Sequence, residues 1–78
     1  MNQAQQKTIG VGEHGSFYRL NNGELEFQPM MDVPYPTANE DDWALVEDDL
    51  VGDEMTTWKG KPMTLREAHE HIIKILTA

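Results

Sequence analysis

Two short runs of alternating apolar residues, in Ser16-Phe-Tyr-Arg-Leu-Asn21 and Glu24-Leu-Glu-Phe-Gln28, meet at Asn22-Gly23. Both turn residues tolerate the positive φ of a type I′ turn, which matches the twist of two antiparallel strands. A two-residue turn fixes the register. Asn21 faces Glu24, Leu20 faces Leu25, Arg19 faces Glu26 and Tyr18 faces Phe27. Tyr18, Leu20, Leu25 and Phe27 then share one face, and Arg19 and Glu26 pair on the other. Such a cross-strand pair contributes about 0.2–1 kcal/mol. A slip by one residue would carry the whole apolar set to water. The sequence therefore predicts a hairpin over 16–28.

A chain of 78 residues has to make much of that hairpin. A domain this size buries only about 60% of the surface its unfolded chain exposes. It has no cysteine, so neither a disulfide nor a thiolate–metal site can staple it. The second strong element lies at the C-terminus. Thr64-Leu-Arg-Glu67 is a capping box, in which the hydroxyl accepts from the N3 amide and the glutamate reaches back to the cap. Leu65, Ala68, Ile72, Ile75 and Leu76 follow at helical spacing, with Arg66–Glu70 and Glu70–Lys74 as i,i+4 pairs on the opposite side. A helix over 65–76 is predicted, its aliphatic stripe laid on the sheet.

Between these elements the charge is segregated. Residues 21–58 hold eleven acids and no Lys, Arg or His, within a net charge of −8. The acids are densest at Glu40, Asp41, Asp42, Glu47, Asp48, Asp49, Asp53 and Glu54, threaded with Trp43, Leu45, Val46, Leu50 and Val51. A disordered acidic tail would lack those apolar residues, so the segment reads as a folded element with an acidic face. Two periods compete in it. Thr37 and Glu40 could cap a helix with Trp43, Val46 and Leu50 on one side, but that would set Glu47, Asp48 and Asp49 at the negative end of its dipole. The preferred reading is a strand over 43–47 that turns back to a second strand over 55–59. Pro29 ends the hairpin, and Pro34 and Pro36 keep the intervening loop extended. The expected fold class is α+β: a small antiparallel sheet of three or four strands packed by one C-terminal helix. Residues 1–8 are expected to fray, and 9–78 to form one domain.

Few chemistries find support. His69-Glu70-His71 lacks the i,i+4 spacing that a helical metal pair needs, so surface histidines are the simpler reading. The run from Glu47 to Glu54 resembles a calcium loop in composition but not in ligand spacing. Ser16 has no recognisable base, and a thin core leaves little room for a pocket that would split carboxylate pKa values. No catalytic residue, metal or cofactor is expected. Trp58 beside Lys59 and Lys61 could stack on a nucleobase, but the surrounding negative field favours a core role. Met30, Met31, Val33 and Tyr35 could form a secondary docking loop; folding over one end of the sheet is the simpler role, because a small domain needs its apolar residues.

Acidity disfavours direct contact with nucleic acid or anionic membranes. No run is apolar enough for export or membrane spanning, which makes a cytoplasmic location the expectation. The acidic face could serve solubility alone. The sharper expectation is a non-enzymatic binding protein. Its eight clustered carboxylates would meet a basic partner of the nucleic-acid-handling class and inhibit it by nucleic-acid mimicry. Two alternatives stand beside this. One is a structural subunit that homo-oligomerises through its basic C-terminal stretch or its Met30–Tyr35 loop. The other is a small metal-binding protein or hydrolase.

Overall fold

The computed structural model describes residues 7–30, 35–37 and 39–78. Its elements run β1 (Thr8–Val11), β2 (Ser16–Asn21), β3 (Glu24–Pro29), a 3-10 turn (Glu40–Asp42), β4 (Ala44–Leu45), α1 (Asp48–Val51), β5 (Met55–Trp58), β6 (Lys61–Thr64) and α2 (Leu65–Leu76). Strands β1 to β4 form an antiparallel sheet in sequence order, and β5 and β6 form a separate two-stranded sheet. The fold is α+β, with α2 packed on the sheet.

The hairpin has the register the turn dictates. Asn21 opposes Glu24, Leu20 opposes Leu25, Arg19 opposes Glu26 and Tyr18 opposes Phe27. Asn22 and Gly23 adopt φ of 54° and 81°, the left-handed conformation the turn requires. Side chains alternate across a strand, so Tyr18 and Leu25 enter the main core, where they meet Val11, Trp58, Ala68, Ile72 and Leu76. Ile72 and Ala68 are fully buried. On α2 the buried stripe is Ala68, His69, Ile72 and Leu76; Ile75, expected in that stripe, is exposed. The capping box is complete, with Glu67 N–H on the Thr64 hydroxyl at 3.2 Å and Thr64 N–H on the Glu67 carboxylate at 3.0 Å.

The other face of the sheet is not left to solvent. Phe17 and Gln28 oppose each other there and are buried, and Arg19 is only 4% exposed. Thr37 and Trp43 return to this face. Thr37 N–H donates to the Gln28 side-chain oxygen at 2.9 Å, and Trp43 covers the Arg19 guanidinium at 4.4 Å. Gly10 permits the approach, since a Cβ there would lie 3.0 Å from the Met30 methyl and 3.1 Å from the Phe17 ring. Arg19 donates to Glu26 at 2.7 Å and to Glu40 at 2.6 Å. Burial pushes its pKa down, but the bonds to Glu40 and Glu26 outweigh this and hold it above the usual arginine value.

Three expectations change. The strand expected over 43–47 shrinks to Ala44–Leu45 and pairs with β3, not with Met55–Lys59. β5 pairs with β6 instead, because Lys59 and Gly60 supply a two-residue turn with φ of 52° and 82°. The helix-or-strand competition divides: strand up to Leu45, then a single helical turn from Asp48, which puts Asp48 and Asp49 at the favourable positive end of the dipole. Finally, Thr8, expected to fray, pairs with Arg19 in β1. Residues 1–6 lie outside the described part.

Arg19→Met would strand Glu26 half-buried and release Glu40 and Trp43. Breaking a buried pair from one side costs about 3–5 kcal/mol, whereas Thr64→Ala costs about 1 kcal/mol through loss of the cap. Urea unfolding of the two variants checks this order.

Candidate functional site: an acidic groove between the two sheets

A groove of about 600 Å³ opens between the end of the four-stranded sheet and the two-stranded one. Residues from β4 to Glu47 form one wall, Glu54 to Thr56 the other, and Leu50 and Val51 of α1 the end. His14, Tyr18, Phe27 and His69 also line it.

The floor is two sets of hydrogen bonds that meet in a ring contact. His14 sits in the turn between β1 and β2, and its Nε2 lies 3.0 Å from the Thr57 carbonyl, which can only accept. Nε2 is therefore the protonated nitrogen of the neutral ring. Nδ1, 2.9 Å away, accepts from the Tyr18 hydroxyl. On the other side of Tyr18 the His69 ring lies at 5.6 Å, and its Nδ1–H donates to Asp48 Oδ1 at 2.7 Å. Neighbouring Glu13 gathers the second hairpin turn, accepting from Thr57 Oγ1 at 3.1 Å, Lys59 N–H at 2.8 Å and Gly60 N–H at 3.1 Å. The Lys59 amide above all holds the Glu13 carboxyl below its ordinary pKa. These bonds tie the turn between β1 and β2 to β2 and β5, and α1 to α2, around one site. Burial, with Asp48's charge second, pushes the Tyr18 phenol up to about 12, so it remains a donor at neutral pH.

The structure distributes the eight clustered acids unevenly. Glu40 is taken by Arg19, Asp48 by His69, and Asp53 by Arg66 at 2.7 Å. Asp42 accepts from the Thr37 hydroxyl at 2.7 Å. Asp41, Glu47, Asp49 and Glu54 are exposed, and of these Glu47 and Glu54 line the groove. Because Glu40 meets Arg19 and Asp48 meets the Tyr18–His69 side, the cluster is divided between opposite faces of β2. In the secondary docking loop, Met30 is half-buried near Gly10 and Tyr35 is 70% exposed; Met31 and Val33 lie outside the described residues.

Other expectations are corrected here. His69, read as a surface residue, is buried at the groove floor. The room for a pocket, judged scarce, exists because the two sheets do not join. Trp58 is buried with His71 stacked on it at 5.7 Å and Lys59 at 5.6 Å, so its ring serves the core. Reading the sequence alone missed His14, Tyr18 and His69 as one site, since 55 residues of chain separate the first from the last. Among the described residues no three His, Asp or Glu side chains are grouped to hold a metal ion, and no helix is long and apolar enough to cross a membrane. The arrangement combines the carboxylates of Glu47 and Glu54, apolar wall residues and a fixed polar floor.

Raising the pH tests the floor. Unfolded tyrosine ionises near 10, whereas folded Tyr18 keeps its proton to about 12. Its contribution to stability is thus full below pH 10 and lost between 10 and 12. Tyrosinate absorbance should show a late-titrating group, absent from Tyr18→Phe, and unfolding should coincide with its ionisation.

Compared with known protein families, with curated proteins and with solved structures, the chain matches none.

Proposed function

We propose that this chain is a small non-enzymatic binding protein whose acidic surface around α1 engages a basic surface on a partner protein. One observation carries the reading: after internal pairing has taken Glu40, Asp48 and Asp53, the carboxylates of Glu47, Asp49 and Glu54 stay exposed beside exposed Leu50 and Met55. Like charges on a net charge of −8 oppose compaction, and of these three acids only Asp49 gains a favourable internal field, from Arg66. A cationic partner would relieve that repulsion. The field would steer the encounter, and arginine or lysine side chains would form charge-assisted bonds to the rim. A nucleic-acid-handling protein is the partner class that presents such a surface, and occupancy of its groove by this chain would exclude DNA or RNA.

A second reading is favoured by Ile73 and Ile75, both exposed on α2 beside Lys74. Two residues apart on a helix, they lie on opposite flanks of its buried stripe, so a second copy could set one flank, with Lys74, against the acidic groove. Sedimentation at low and high ionic strength separates the readings, since only self-association gives a salt-sensitive dimer of the pure protein.

The test of the first reading is recovery of basic proteins from lysate at two ionic strengths. Charge reversal belongs at Asp49 and Glu54, because Asp48 holds His69. The double variant Asp49→Lys with Glu54→Lys should keep the wild-type circular dichroism and lose the salt-sensitive partner. Unchanged recovery would remove the acidic surface from the account.

A further inference from the structure

We infer that the groove between β4 and β5 receives an extended, cationic segment of a partner protein, added as a strand along an open sheet edge with one apolar side chain seated beside Leu50 and Met55. The inference rests on the binding reading above and gives that reading a place and a peptide chemistry.

Backbone pairing leaves two edges open at the groove. In an antiparallel pair the residues alternate between facing the partner strand and facing away. Val46 N–H donates to Leu25 O at 2.9 Å, so Ala44, two residues earlier, also faces β3. The N–H and C=O of Leu45 therefore point outward. The second sheet obeys the same count. Its two-residue turn makes Trp58 and Lys61 a bonded pair; Thr56 with Met63 is the next, and Glu54 with Leu65 the one after, shown by Leu65 N–H on Glu54 O at 2.8 Å. Pro62, which has no N–H, falls opposite Thr57, where none is needed. The backbone groups of Thr57 and Met55 thus point away from β6. Thr57 spends its carbonyl on His14, and Met55, farther from that turn, keeps the edge open.

Side chains add selectivity to the edges. Leu45, Leu50 and Met55 are 47%, 75% and 68% exposed, an apolar margin that a binding protein would cover. Glu47 and Glu54 stand on the two walls, and none of the described lining residues is Lys or Arg. The complement is a strand-like segment with one apolar residue flanked by lysine or arginine. Strand addition draws affinity from main-chain bonds and specificity from alternate side chains.

The test uses the full chain, labelled with nitrogen-15, and two capped peptides, Gly-Lys-Lys-Leu-Lys-Lys-Gly and the same sequence with glycine for leucine. Amide shifts are followed at low ionic strength. The leucine peptide should move Leu45, Val46, Leu50 and Met55 saturably, and bind about tenfold more tightly than its glycine analogue. Leu50→Ser and Met55→Ser, at exposed positions, should weaken the leucine peptide while leaving distant amides in place. Equal binding of both peptides, with shifts spread over Asp41, Asp42 and Asp49, would overturn the groove and leave the acidic-surface reading standing. No shift with either peptide would overturn both.

Discussion

An arginine only 4% exposed cannot stay inside a small protein without its counter-charges. Arg19 obtains one, Glu26, from its own hairpin and the other, Glu40, from a segment 21 residues away. Trp43 closes over the ring of charge. The cost of burying this cation is met when Glu40 and Trp43 return to the sheet. From there Val46 reaches Leu25 and Asp48 reaches His69, so one buried arginine sets the origin from which β4 and α1 are laid out.

Adjacent strand residues point to opposite faces, and the fold exploits this at Tyr18 and Arg19. Arg19 organises the outer face; Tyr18 organises the inner one, between His14 and His69. The acidic segment wraps the end of the sheet and touches both, through Glu40 on one side and Asp48 on the other. A stretch that self-repulsion should loosen is thereby pinned at two points. Of the carboxylates that the pins do not use, Glu47 and Glu54 line the groove that the two sheets leave between them.

The elements legible in the sequence were those set by local chemistry. Asn22-Gly23 dictated a turn and with it a register, and Thr64 with Glu67 dictated a helix start. Both depend on residues within four positions of each other. The acidic middle was not legible in the same way. Trp43 is placed by a cation in β2, and Asp48 by a histidine in α2, and no short window contains such pairs. Lys59-Gly60 was a turn whose second strand, Lys61–Thr64, was hidden by Pro62, because only the bonding register reveals that this position needs no donor. The groove itself arises from strand order, which is a tertiary property. His69 read as a surface residue because its partner lies 21 residues upstream.

Arg19 on one face and the Tyr18–His69 floor on the other hold the acidic segment as a shaped surface. Amide hydrogen exchange across residues 43–52 in the isolated protein tests it most directly. The Val46 amide, bonded to Leu25, and the Val51 and Gly52 amides, bonded to Glu47 and Asp48, should exchange far more slowly than in an unstructured peptide. Exchange of all three at unprotected rates, with the hairpin still protected, would contradict the account.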